Sequence, residues 1–191
     1  MTVRWPAEAP VLSDGVVTLR GLVPDDADAV FVACQDPEIP LFTTVPRPYL
    51  REHAESFVND LGAVRWNAER PDPDGGSDAM RHGVLAITDA GSARLCGTID
   101  LQRVDLASGT ATVGYWMAAE ERGRGLTTLA LRLLMRWAFD DAGLEVVRWE
   151  AMRANEASRA VAEKVGFVID GEGVCGDEPS WTATLTRERL G

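Results

Sequence analysis

The chain is poor in histidine and cysteine and has no long apolar run. Two histidines, His53 and His82, are too few for a histidine-rich metal site. The three cysteines, Cys34, Cys96 and Cys175, are odd in number, widely spaced and form no Cys-x-x-Cys pair. That pattern argues against a disulfide or zinc framework and reads as free thiols in a reducing compartment. No stretch approaches the roughly 18 uninterrupted apolar residues of a transmembrane helix. The run Met1-Thr2-Val3-Arg4-Trp5-Pro6 lacks the apolar segment of a secretion signal. A cytoplasmic protein with no membrane partner and no bound metal is expected. Cationic residues are also scarce. Against 30 Asp and Glu stand 19 Lys and Arg, a formal charge of −11. Wrapping of nucleic acid, which needs clustered cations, is not expected. The acidity suits solubility first and encounter with cationic amines or basic peptides second.

What remains is an ordinary globular composition, 46% hydrophobic and 26% charged over 191 residues. That is enough for one domain with its own core. No internal repeat or long linker divides it, so residues 1–191 are expected to form a single domain with its core at about 16–187. The stretch at about 71–78, rich in Pro, Gly and Asp, is the one plainly flexible loop.

Val16–Leu22 alternates like a first strand. Pro24-Asp25-Asp26 offers a helix start, with Ala27, Val30 and Phe31 on one face. Pro37, Pro40, Pro46 and Pro48 then predict an irregular connection. His53, Phe57, Leu61 and Val64 recur at helical spacing from Arg51 to about Trp66. Strands are expected at Gly83–Thr88, Leu95–Leu101 and Thr110–Met117, the first two joined by a hairpin turn at Asp89–Ser92. A long helix should follow from about Thr127, with Leu129, Leu133, Leu134, Trp137 and Ala138 as its apolar face and Gly143 just past its end. Val146–Met152 reads as a strand. Asn155 should cap a short helix to Val165, and strands at Phe167–Ile169 and Trp181–Leu185 complete a mixed α/β order.

The densest chemical signal is Arg122-Gly123-Arg124-Gly125-Leu126-Thr127-Thr128. A glycine-rich turn between a strand and a helix N-terminus exposes backbone N–H groups, and the helix dipole adds partial positive charge. That is a cradle for phosphate. It carries no Gly-Lys-Ser/Thr ending and lacks the third glycine of a dinucleotide fingerprint, so nucleotide binding is a weak reading.

Arg122-x-x-Gly125-x-Thr127, the strand at Val146, and Asn155-x-x-Ser158 leading to Glu163-Lys164-x-Gly166-Phe167 resemble the GNAT superfamily of acyl-CoA-dependent N-acyltransferases. Val17-Thr18-Leu19-Arg20-Gly21 followed by Pro24-Asp25-Asp26-Ala27 looks like its RimJ/RimL branch, the ribosomal-protein N-terminal acetyltransferases and their relatives. The likeness runs from about Val16 to Arg187. One departure is Thr127, where the family pattern has Gly or Ala. The resemblance implies a mixed, mostly antiparallel central sheet, splayed in the middle and flanked by helices on both faces. It also implies acetyl transfer from acetyl-CoA to a primary amine, such as a peptide α-amine or a small amine, by direct attack. Dimers are common among such relatives. Succinyl-CoA or another acyl-CoA as donor, and a coenzyme-A-sensing module without turnover, stay open beside it.

By the same resemblance, backbone amides of Gly123, Arg124, Gly125, Leu126, Thr127 and Thr128 should hold the pyrophosphate, with Arg122 and Arg124 adding charge. The strand end at Met117 and Ala118 should part from the strand around Trp149. A Met117 N–H would then polarise the thioester carbonyl. Asn155 would cap its helix and touch the cofactor arm, and Ser158 would protonate the departing thiolate. No ionisable residue stands at Ala111, where some members carry a glutamate. Asp100, Glu120 and Glu150 are the alternatives for a general base, and His53, Trp66 and His82 are candidates to line the acceptor pocket. A lysine amine costs roughly 4–5 kcal/mol to deprotonate at pH 7 and an α-amine only about 1, so a site without a strong base suits the α-amine.

Overall fold

The computed structural model describes residues 3–62, 66 and 80–190. The expected loop at about 71–78, and Val64 in the second helical stretch, lie outside the described residues.

A short β1 (Leu12–Ser13) precedes β2 (Val17–Arg20). A 3-10 turn at Pro24–Asp26 leads into α1 (Ala27–Ala33), followed by α2 (Ile39–Phe42) and α3 (Arg51–Ser56), which continues as a π-helical stretch over Phe57–Gly62. Strands β3 (Met80–Asp89), β4 (Leu95–Asp105) and β5 (Thr110–Met117) form a meander. Then come α4 (Leu126–Asp140), β6 (Val146–Met152), α5 (Glu156–Val165), β7 (Val168–Cys175) and β8 (Glu178–Thr186). Two elements were not expected. β1 is only two residues long, and α2 sits in the proline-rich connection because Pro40 falls in its first turn, where a missing N–H costs nothing.

Among the described residues the strands form one sheet in the order β1-β2-β3-β4-β5-β6-β8-β7. Every neighbouring pair is antiparallel except β5 and β6, which are joined through α4 as a crossover. Period-two alternation assigns the faces. Leu85, Ile87, Ile99, Leu101 and Val113 point into the larger core under α4 and α5. Val84 and Ala86 point the other way, into a smaller core with Val30 of α1 and Ala54 of α3. The buried stripe of α4 runs through Leu126, Ala130, Leu131, Leu134 and Ala138, while the expected Leu129 and Leu133 are only partly buried.

The strand pair that matters most is the parallel one. β5 and β6 pair from Thr110↔Val146 to Val113↔Trp149 and no further, although β5 runs on to Met117. The sheet therefore parts after Val113, and among the described residues the last four of β5 keep only β4 as a neighbour.

Candidate active site

The parting exposes one edge of β5. Ala118 N–H donates to the Cys96 carbonyl of β4 at 2.9 Å. Backbone N–H directions alternate along a strand, so the Met117 and Tyr115 N–H groups face the opposite edge, where β6 has left. That edge offers a ladder without a partner strand.

The loop after β5 is built to stay open. Gly123 has φ 74° and Gly125 φ 78°, left-handed values that L side chains resist. Gly125 is the N-cap residue of α4. Among the described residues, the first α4 N–H with a backbone acceptor is that of Leu129, bonded to the Gly125 carbonyl. The N–H groups from Gly123 to Thr128 have no protein acceptor among the described residues. A Cβ at either glycine would meet nothing within 4 Å. A row of free donors at the N-terminus of a 15-residue helix has the geometry to take an anion.

Both loop arginines turn to carboxylates. Arg122 Nε and Nη2 donate to the Met117 carbonyl at 3.2 and 3.1 Å, and Nη1 donates to Glu38 at 2.6 Å. Its Nη2 also lies 2.5 Å from Asp36 as an ion pair, without hydrogen-bond alignment. Arg124 pairs with Glu121, which also pairs with Arg94 and is only 2% exposed. Arg122 thus fastens the loop to the segment before α2, and Glu121 ties it through Arg94 to the turn before β4.

Across the gap, Asn155 Oδ1 accepts the Ser158 N–H at 3.0 Å and caps α5. This fixes Ser158, whose Oγ lies 3.0 Å from the Tyr115 hydroxyl. Trp149 Nε1 donates to Ser158 Oγ at 3.1 Å and to the Tyr115 hydroxyl at 3.2 Å. Burial raises the Tyr115 pKa above its ordinary value, partly offset by the Ser158 and Trp149 hydrogen bonds, so the phenol keeps its proton at neutral pH. Tyr115 and Trp149 were not anticipated as partners of Ser158. The sequence marked Trp149 only as the middle of its strand, and Tyr115 not at all.

These pieces surround a cleft of about 250 Å³. Ile39, Phe42 and Thr43 wall it on one side of the sheet, Asn155, Ser158 and Val161 on the other, and Met117, Arg122, Gly123 and Thr127 lie between. The α2 wall was invisible in a segment read as irregular.

Other candidates separate. Trp66 is 2% exposed and stacks on Trp5 at 5.0 Å, a core position away from the cleft. His53 Nδ1 accepts the Leu50 N–H at 3.1 Å at the start of α3, and it does not line the cleft either. Glu120 and Glu150 are exposed, and Glu150 accepts from Ser180 at 2.6 Å. Asp100 is different: its Oδ2 lies 2.6 Å from His82 Nε2. Among the described residues no cluster of three His, Cys, Asp or Glu could hold a metal, and no helix is long and apolar enough to cross a membrane.

Residues 17–168 match the family described as the acetyltransferase (GNAT) domain. YdaF of Bacillus subtilis, a candidate ribosomal N-acetyltransferase, is 42% identical over 78 residues, 41% of this chain and 43% of its own length. The ribosomal-protein-serine acetyltransferase of Escherichia coli is 29% identical over 77 residues, 40% of this chain and 43% of its own. Each of these matches spans less than half of the relative. Among solved structures, RimJ of Mycobacterium smegmatis in complex with CoA-disulfide superposes with a TM-score of 0.75 at 21% identity, covering 100% of this chain and 92% of that one. That likeness is one of fold.

Proposed function

We propose, from the premise that this chain belongs to the GNAT acetyltransferase family, that it transfers an acetyl group from acetyl-CoA to a primary amine by direct attack. The observation that carries the reading is the row of unpartnered N–H groups from Gly123 to Thr128 beside the parted edge of β5. A diphosphate fits the first and an amide-bearing arm fits the second. In this reading Gly123, Arg124, Gly125, Leu126, Thr127 and Thr128 hold the pyrophosphate through the main chain. Arg122 holds the Met117–Ala118 strand end in place, Asn155 orients Ser158 and touches the arm, and Met117 N–H faces the thioester carbonyl. Ser158, with Tyr115 behind it, hands a proton to the leaving sulfur. The three cysteines are free, and none is in the cleft lining, which favours direct attack over an acyl-enzyme. Free thiols also support a cytoplasmic setting.

A peptide α-amine is the favoured acceptor. Its deprotonation costs little, the chain's acidity attracts cationic ends, and a relative is a ribosomal-protein-serine acetyltransferase. The test is release of free thiol from acetyl-CoA in the presence of a serine-initiated peptide, a polyamine and an amino sugar. Turnover with the peptide is expected to exceed the others. Tight acetyl-CoA binding with turnover on no amine would replace this reading with a coenzyme-A-sensing module.

A further inference from the structure

The geometry points to Asp100, backed by His82, as the group that takes the proton from the acceptor amine, on the face of the sheet opposite Ser158. This rests on the acetyl-transfer reading above. Gly114 is the first residue of β5 beyond the last pair with β6, so it stands at the apex of the parting. Its partner on β4 is Asp100. A Cβ at Gly114 would lie 2.6 Å from Asp100 Oδ1 and 2.8 Å from Gln102 Nε2, closer than a real Cβ approaches, so any side chain there would push the carboxylate or Gln102 aside. Glycine leaves that oxygen open at the apex.

The two oxygens of Asp100 are not equivalent. Oδ2 is met by His82 Nε2 at 2.6 Å and accepts from Gln102 Nε2 at 2.8 Å. Oδ1 has no hydrogen-bond partner among the described residues. The side chains of His82 and Asp100 are 22% and 17% exposed, so water and a small cation reach them. Tyr115, the next residue of β5, points to the other face and joins Ser158 and Trp149. One apex therefore carries a carboxylate–imidazole pair on one side and a hydroxyl pair on the other. Trp116, on the Asp100 face and two residues along the strand, lines the cleft at about 7 Å from Gly114.

An amine arrives as an ammonium ion and cannot attack until it loses a proton. Asp100, opposite Gly114, stands outside the cleft lining and about 10 Å along the strand from Met117, so the ammonium passes its proton to Asp100 Oδ1 through water, into the Asp100–His82 pair. The freed nitrogen lone pair forms the C–N bond, the C–S pair leaves with sulfur, and the nitrogen then sheds its second proton. Of the two protons the nitrogen loses, one ends on sulfur by way of the Ser158 side and one reaches solvent from His82. Among the described residues on the Asp100 face, Arg20 pairs with Asp26 at 2.8 Å. Asp36 and Glu38 hold Arg122, Asp28 holds Arg51, and the facing β5 residues Thr112, Gly114 and Trp116 carry none.

The test uses the full chain, acetyl-CoA and a serine-initiated peptide. Asp100→Asn keeps the size and the acceptor for Gln102. It should lower kcat/KM for the peptide about 100-fold, leave the KM for acetyl-CoA within about twofold, and lose less as pH rises and the amine deprotonates unaided. His82→Gln should show a smaller loss with the same pH trend. Gly114→Ala, which displaces the Asp100 carboxylate from the apex without altering its chemistry, should also lower kcat/KM and supplies a second route should Asp100→Asn fold poorly. Full turnover in Asp100→Asn overturns the assignment, as does a pH-independent loss accompanied by a raised KM for acetyl-CoA. Wild-type protein that binds acetyl-CoA and acetylates no amine sinks the acetyl-transfer reading itself, and this assignment with it.

Discussion

Ser158 Oγ and the Tyr115 hydroxyl lie 3.0 Å apart across the gap between α5 and the free end of β5, and Trp149 Nε1 donates to both. The contact joins residues 43 positions apart in the chain and closes the cleft on the α5 side. If this pair delivers the proton to the leaving thiolate, Ser158→Ala should lower kcat about 100-fold, with acetyl-CoA affinity within twofold. Tyr115→Phe should cost less alone. The double variant should lose less than the product of the two, because both hydroxyls belong to one network. Equal rates for Ser158→Ala and wild type would remove Ser158 from the chemistry.

Gly125 begins α4 at φ 78° with open space where a Cβ would point. Gly125→Ala should weaken acetyl-CoA binding about 5- to 30-fold, the equivalent of the 1–2 kcal/mol a left-handed alanine costs. Gly125→Glu adds a carboxylate beside the row of N–H donors and should raise the Kd more than 100-fold. Titration calorimetry with acetyl-CoA checks both, and unchanged affinity in Gly125→Glu would exclude the loop as the anion site.

Glu121 is 2% exposed and paired with Arg94 and Arg124. Its removal strands no fully buried cation, since the two arginines are 55% and 47% exposed, so the cost falls below that of a wholly buried pair. Glu121→Ala should lower unfolding stability by about 2 kcal/mol, read as a melting temperature lower by roughly 4–8 °C. Because the loop loses its fastener, acetyl-CoA affinity should drop with it. A melting temperature within a degree of wild type would show that the ion pairs do not hold the loop.

Burial pushes the Cys34 thiol up from 9.0 to about 12, a rise that the Tyr49 hydrogen bond offsets only in part. Burial also raises Cys96. At pH 8 both are thiols and shielded, whereas Cys175 is half-buried at the end of β7. Iodoacetamide should therefore label Cys175 first, with Cys34 and Cys96 protected until the chain unfolds, as peptide mass spectrometry would show. Because the folded pKa of Cys34 is raised, its contribution to stability is complete below about pH 9 and declines as pH rises toward 12. Early labelling of Cys34 at pH 8 would contradict this burial.

Much of the fold was legible because its signals are local. β5 begins and ends where its alternation does, at Thr110 and Met117, and Asn155 caps α5 through a bond only three residues long. Gly123 and Gly125 adopt the left-handed turn their residue type favours. In each case the interaction that sets the conformation lies within a few residues, so residue order alone determined these elements and the open loop before α4, but not β1 or α2.

Only the tertiary structure decided what those elements face. Arg122 meets Glu38 from 84 positions away, and His82 meets Asp100 across two strands 18 apart. No periodicity encodes such pairs, because they depend on which strands become neighbours. The parting after Val113 sets Gly114 and Asp100 at its apex and Tyr115 on the far side, a consequence of where the β5–β6 ladder stops. A ladder's end depends on the packing of whole elements against one another, which a single strand's alternation does not contain.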